Sequence, residues 1–170
     1  MPRLFLLILL LSIAGSSCHD RPTDQPDQSA YYLQVRSFIH WYRENHQLDS
    51  TSVLEDSAAS YKTADIIYSI EDTANVTPSD RLELWPLSKK LPILRWTTDL
   101  TGPIQFIRSD SSGDHRYNRL GCPIFFRNYT RCLFYADHHC GPHCGGGGLT
   151  LYKKEGDHWV RIQTYGGWAI

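Results

Sequence analysis

The sequence predicts a single α+β domain, with an N-terminal amphipathic helix packed on a curved antiparallel β-sheet. Three observations lead to this fold class. Apolar residues recur at helical spacing near residue 30, short segments rich in β-branched and aromatic residues fill the second half, and a compact turn joins the last two of these segments. Residues 29–170 are long enough to bury one hydrophobic core and too short for two, so we expect one folded domain.

Residues 1–17 have the layout of a secretory signal peptide. Arg3 lies in a short N-terminal region, an apolar run follows from Leu4 to Leu11, and small residues come before Cys18. The apolar stretch closes at Ala14 and is shorter than the roughly 20 residues that span a bilayer. We therefore expect a cleaved signal peptide at residues 1–17 and export of the chain.

Cys18 follows Gly15, Ser16 and Ser17, an arrangement that resembles the lipobox of bacterial lipoproteins, in which the cysteine is lipidated. Lipoboxes usually carry an aliphatic residue where this sequence has Gly15, so simple secretion is the alternative. Residues 18–28 are otherwise polar and contain two prolines, which is typical of a disordered tether. The resemblance implies a lipoprotein of the bacterial cell envelope, anchored to the outer membrane and facing the periplasm or the exterior.

The charges of the chain nearly cancel. There are 17 Lys and Arg residues against 18 Asp and Glu residues, and they form no long run of one sign. A nucleic-acid-binding surface requires a basic patch. We therefore expect no nucleic-acid partner. The membrane, reached through the lipid anchor, is the predicted partner, and the sequence specifies no protein or small-molecule partner.

An amphipathic helix is predicted over residues 29–46. Its apolar residues fall on one side and its charged residues on the other. The apolar positions are Tyr31, Val35, Phe38, Ile39 and Tyr42. We interpret this aromatic stripe as a seam that faces the core.

A second, shorter helix is predicted from the sequence around residue 78. Thr77, Pro78 and Asp80 suit the cap, the first turn and the acidic partner of a capping box. Because Pro86 disfavours a helical residue before it, we expect this helix to end by Trp85.

Several segments have strand-like patterns. In residues 61–72 the apolar residues alternate with the others, as in a strand with two different faces. Residues 109–118 are predicted to form an exposed loop, and residues 154–157 a hairpin turn. The other predicted strands, each written by its sequence, are LPILRW, PIQFIR, CPIFF, RCLFYA, LTLYKK and HWVRIQT. The second half is thus predicted to be an antiparallel meander.

The chain has five cysteines, and lipidation of Cys18 would leave an even number for two disulfides in an oxidising compartment. Gly and Pro between Cys140 and Cys144 favour a tight turn, which would bring these two within bonding distance. A hairpin with a three-residue loop around residue 127 would place Cys122 opposite Cys132. We therefore predict the pairs Cys140 with Cys144 and Cys122 with Cys132.

The residues most able to bind a metal or to react are concentrated in the segment DHHCGPHCGGGG at residues 137–148. The structural interpretation is a disulfide that closes a turn, followed by glycines that lead into the next strand. An alternative is a copper or zinc site formed by His138, His139 and His143, although neighbouring residues of a strand point to opposite faces. A third is an exchanging dithiol, which the spacing of three residues between the cysteines disfavours.

The segment from Arg131 to Ile170 resembles the C-terminal half of a group of uncharacterised exported bacterial lipoproteins. In these proteins a strand precedes a CGxxCG-type element, glycines follow, and a hairpin with a lysine-rich turn leads to a tryptophan like Trp159. The resemblance begins at about Trp85 and implies no known activity. Residues 37–46 are also similar to the opening helix of cone-shaped α+β domains of the nuclear transport factor 2 fold.

No familiar catalytic motif is present. The sequence lacks GxSxG, HExxH, SxxK and the phosphate-binding loop, and no residue is predicted to be catalytic. We therefore expect a non-catalytic binding or structural domain without a cofactor. The alternative from a different class is a protein that binds or handles copper or zinc through the cluster of histidines and cysteines.

Overall fold

The computed structural model describes residues 28–46, 48, 52–59, 67, 70–90, 95–108, 116–141 and 143–170, with Gln28 and Lys90 described by their backbone alone. The described helices are α1 (Gln28–Asn45), α2 (Pro78–Lys90) and α3 (Thr98–Thr101). The described strands are β1 (Val53–Glu55), β2 (Gln105–Ile107), β3 (Tyr117–Leu120), β4 (Ile124–Phe126), β5 (Arg131–Gly141), β6 (Cys144–Glu155) and β7 (His158–Ala169).

The signal peptide at residues 1–17, Cys18 and the tether lie outside the described residues. So does most of the strand predicted over residues 61–72, where the described Ile67 is helical and buried. Among the helices that the structure describes, none combines the length and the apolar character that crossing a bilayer requires.

The seven strands form one open sheet with the order β2-β1-β3-β5-β6-β7, and β4 pairs separately with β5. The fold class is therefore α+β, as predicted. The sheet is mixed, however, because β1 runs parallel to both β2 and β3, while the pairs from β3 to β7 are antiparallel. The wholly antiparallel sheet that the sequence predicted is thus wrong at this edge.

Strand β3 begins within the loop predicted over residues 109–118, and β1 lies in a segment for which no strand was predicted. Each is short, and each contributes one fully buried leucine, Leu54 in β1 and Leu120 in β3. Three or four residues are too few to show an alternating pattern. Hydrogen bonding to the rest of the sheet therefore decides their conformation.

Helix α1 packs its aromatic stripe on one face of the sheet, as its spacing predicted. Phe38 is fully buried at the centre of this contact. Its ring lies edge-on to Phe134 with centroids 4.9 Å apart, and 5.2 Å and 5.4 Å from the rings of Trp159 and Tyr152. Such ring pairs stabilise a core beyond their buried area, by about 0.5–1.5 kcal/mol each.

Helix α2 belongs to a second core cluster, which includes Leu133 and Leu149. Its capping box forms as predicted, since the backbone N–H of Thr77 donates to Asp80 at 2.7 Å. The predicted end at Trp85 is wrong, because the helix runs on through Pro86. Proline removes one backbone hydrogen bond, and the packing of the hydrophobic side chains on either side of Pro86 outweighs that loss.

The hairpin of β4 and β5 shows that the second predicted disulfide, between Cys122 and Cys132, is wrong. The loop between the two strands has four residues, 127–130, instead of the three expected, and residues 127–129 have positive φ angles of 49°, 53° and 61°. Phe125, rather than Cys122, is therefore paired with Cys132. No disulfide joins these two described cysteines, and the thiol of Cys122 lies 2.8 Å from the hydroxyl of Tyr31.

Strands β5, β6 and β7 form the predicted meander and are longer than their sequence patterns indicated. Glu155 pairs with His158 across the predicted turn, in which Gly156 has a φ of 63°. At the other end, β5 and β6 continue to Gly141 and Cys144. Most of the cysteine- and histidine-rich segment at residues 137–148 therefore lies within the sheet.

Candidate ligand-binding cleft

The end of the β5–β6 hairpin carries the predicted cysteine pair. Cys140 and Cys144 lie at disulfide distance, with their Cα atoms 5.0 Å apart. Gly141 pairs with Cys144, and the ladder is irregular between His139 and Gly141. The pair therefore closes the tip of the hairpin, as the structural interpretation of this segment required.

The histidines of this segment do not come together. His138 and His139 point to opposite faces of β5, because side chains alternate along a strand. Among the residues that the structure describes, no three His, Cys, Asp or Glu side chains are placed to hold one metal ion. The alternative ligand set of His138, His139 and His143 is therefore not assembled.

The glycine run lies within β6 and does not lead into it. None of Gly145, Gly146, Gly147 and Gly148 has a positive φ. At Gly147 the reason for glycine is a close approach, since a Cβ atom there would lie 2.2 Å from the Cβ of Asp137. The run thus allows β5 and β6 to pack tightly around the Asp137 side chain.

A cleft of about 550 Å³ opens on the face of the sheet that carries α1, beside the C-terminal end of that helix. Ala136, Gly146 and Gly148 line it from β5 and β6, so much of its floor has no side chain larger than a methyl group. The glycines also let the walls of the cleft approach closely, because a Cβ atom at Gly148 would lie 2.9 Å from the Thr164 methyl group and one at Gly146 would lie 3.4 Å from the His138 ring. Tyr42 and His46 of the helix end line the cleft from the opposite side.

The aromatic residues of the cleft are in mutual contact. The ring of His46 stacks on Tyr42, with centroids 4.0 Å apart and an interplanar angle of 14°, and Tyr152 lies 6.4 Å from each. His46 Nδ1 donates to the carbonyl oxygen of Tyr42 at 3.0 Å. This hydrogen bond holds the imidazole in its stacked position.

Arg161 supplies a positive charge next to these rings. Burial raises the pKa of Tyr42 to about 12, and the charge of Arg161 opposes that rise. Burial lowers the pKa of His46, a change that the Tyr42 hydrogen bond opposes and Arg161 reinforces. Burial also raises the pKa of Tyr152. At neutral pH the two tyrosines and His46 are therefore uncharged.

Polar groups complete the lining. Arg161 Nη2 donates to Thr164 at 2.9 Å, and the hydroxyls of Thr164 and Thr150 are 2.9 Å apart. Asn118 and His138, which are paired across β3 and β5, also line the cleft. The cleft therefore combines a bare floor, flat rings and a few polar groups, which is the usual make-up of a small-molecule site.

The opposite face of the sheet, at the same level, carries a buried ionic network around Asp137. Arg119 donates to both carboxylate oxygens of Asp137, at 2.7–3.1 Å, and the hydroxyl of Tyr135 donates at 2.7 Å. The indole N–H of Trp168 donates to the Tyr135 hydroxyl at 3.3 Å. His139 Nε2 lies 3.5 Å from the carboxylate. These contacts satisfy a carboxylate that is fully buried.

The sequence did not identify the cleft. Tyr42 was predicted as a core residue, and neither His46 nor Arg161 was predicted to belong to a site. The available signal was the alternation of small residues, in which Ala136 stands directly opposite Gly148 on the neighbouring strand. Such a pair predicts a stretch of sheet without bulky side chains.

The fold and the cleft define an α+β domain with a cleft of about 550 Å³ on one face of its sheet. The chain matches no protein-family model, and no curated protein or solved structure shows significant similarity to it.

Proposed function

We propose that this protein is a non-catalytic domain of the bacterial cell envelope that binds a small molecule in the cleft beside α1. The observation that carries the proposal is the bare floor formed by Ala136, Gly146 and Gly148 beneath the stacked rings of Tyr42 and His46. A volume of about 550 Å³ lies within the usual range for small-molecule sites, roughly 300–1,000 Å³.

The placement of α1 supports the same proposal. This helix packs on one face of the sheet, as the opening helix would in a cone-shaped domain similar to the nuclear transport factor 2 fold. The cleft lies between the end of α1 and the sheet, a position compatible with the open end of such a cone. We propose this relation of shape and infer no activity from it.

The proposed location rests on the sequence. The signal peptide at residues 1–17 and the lipobox-like Cys18 support a lipid anchor, and the polar tether would hold the domain near the outer membrane. Fatty-acid labelling in a bacterial host tests this, because Cys18→Ser should abolish incorporation. Equal labelling of both forms would refute the anchor and favour simple secretion.

Ligand binding is tested with a neutral, environment-sensitive dye and the full-length protein. The dye should become brighter on binding, and Ala136→Phe should remove the response by filling the floor. Ala74→Phe is the matched control, because Ala74 is exposed in a turn away from the cleft. A wild-type protein that gives no response, or an Ala136→Phe variant that responds fully, would count against the cleft as a binding site.

Metal handling is the competing function. Native mass spectrometry with and without alkylation distinguishes the two functions, because the present structure predicts a blocked Cys140–Cys144 pair and no retained ion. Alkylation of Cys140 and Cys144 without reduction, together with one bound zinc or copper ion, would favour the metal function instead.

A further inference from the structure

The fixed charge that the lining presents to the cleft is positive. Arg161 is its permanently charged residue, and within the described part of the chain no carboxylate forms an ion pair with it. Asp137 is the one acidic residue among the described residues that line the cleft. A cation in a cleft without a nearby anion attracts negatively charged ligands.

Asp137 contributes no negative charge to the cleft. It lies between Ala136 and His138 in β5, so its side chain points to the other face of the sheet. There the carboxylate is fully buried and bound by Arg119 and the Tyr135 hydroxyl. Its charge is thus compensated on the far side.

The remaining titratable groups leave Arg161 as the fixed charge of the site at neutral pH. Burial keeps Tyr42 and Tyr152 protonated and His46 neutral, and all three rings are close enough to Arg161 for its charge to act on them. His138 adds an imidazole on the β5 side. The cleft therefore has a cation at one wall and flat, uncharged rings beside it.

We infer that the ligand is a small oxyanion with a flat apolar body, its anionic group bound by Arg161 and its body placed against His46 and Tyr152. This inference rests on the proposed function and specifies its ligand class. A guanidinium forms charge-assisted hydrogen bonds with carboxylate or phosphate oxygens that are stronger than neutral ones. Because Thr164 accepts one N–H of Arg161, the guanidinium is already oriented before a ligand arrives.

The test compares 2-naphthoate with 2-naphthamide, which has nearly the same shape without the charge, by calorimetry on the full-length protein. We expect naphthoate to bind at least tenfold more tightly. Arg161→Gln should reduce its affinity to that of the amide, whereas Arg36→Gln, an equal charge change on the exposed side of α1, should leave it unchanged. A third probe, 2-naphthyl phosphate, shows which oxyanion is preferred.

The outcomes separate this inference from the proposed function. Equal binding of naphthoate and naphthamide, with perturbed NMR signals from the Gly146 and Gly148 amides, would overturn the anionic ligand class and leave the binding site intact. A preference for naphthoate that survives Arg161→Gln would overturn the role of Arg161. No perturbation of these amides by any probe would refute both proposals together. Thermal unfolding of each variant verifies that it is folded.

Discussion

Replacing Asp80 by asparagine should destabilise the protein by an amount that depends on pH. Asp80 accepts hydrogen bonds from Thr77 at the start of α2 and from Arg127 in the turn between β4 and β5. The Arg127 guanidinium is the largest cause that lowers the pKa of Asp80, from its ordinary value of 3.8 to about 2. One carboxylate thus caps a helix and joins it to the sheet.

The magnitude follows from that pKa. Each pKa unit corresponds to about 1.36 kcal/mol, so the lowering amounts to roughly 2 kcal/mol of stability for the charged form. The side chain of Arg127 is 35% exposed, and solvent screening reduces the value toward about 1 kcal/mol. Asp80→Asn should therefore lower the free energy of unfolding by about 1–2 kcal/mol at pH 7.

Urea unfolding of the wild type and of Asp80→Asn between pH 7 and pH 2 provides the assay. Because folding lowers the pKa of Asp80, its contribution is complete above about pH 4 and is lost as the pH falls towards 2. The difference between the two proteins should shrink over this range. A difference that stays constant down to pH 2.5 would refute the electrostatic explanation, and Arg127→Gln should reproduce the loss at pH 7.

The remaining predictions concern the end of the sheet that carries the Cys140–Cys144 pair. Gly147→Ala should cost several kcal/mol or prevent folding, because its Cβ would overlap the neighbouring strand. The control Gly167→Ala should change the melting temperature little, because its Cβ would come no closer than 3.4 Å to another atom. Equal melting temperatures of the two variants would contradict this prediction. Tyr135→Phe should cost about 1–3 kcal/mol in urea unfolding, because it leaves a buried carboxylate short of one donor, and a neutral result would show that water replaces the hydroxyl. Replacing Cys140 and Cys144 together by serine should lower the free energy of unfolding by about 2 kcal/mol, as the loop-closure relation gives. Reduction of the wild type should cause the same loss, and unchanged stability of the variant would disprove the prediction.

Local patterns accounted for the long elements. The period of the apolar residues in α1 predicted both its extent and its buried face, because a helix repeats every 3.6 residues and eighteen residues contain several repeats. The capping box of α2 was equally local, since Thr77 and Asp80 are three residues apart. The Cys140–Cys144 pair depended on one tight turn. In each case the interacting residues are near each other in the sequence.

Predictions failed where a distant contact decides the structure. The loop predicted over residues 109–118 overlaps the start of β3, where Asn118 pairs with His138 of β5 and donates to the carbonyl oxygen of Val53 in β1. The four-residue loop 127–130 shifted the register that a three-residue loop would have given to Cys122 and Cys132. The end of α2 was misplaced because packing, absent from a local rule about proline, carries the helix past Pro86.

The sequence by itself determined the α+β class, the helix that faces the core, the final hairpin and the nearby cysteine pair, because each depends on periodicity or turn chemistry within about twenty residues. Tertiary structure alone decided the mixed sheet, the register of β4 and the cleft. The cleft exists because small residues on two strands meet the end of α1, and it is cationic because the one carboxylate in its lining, Asp137, faces the other side of the sheet. Those relations join residues that are far apart in the chain, and no local pattern contains them.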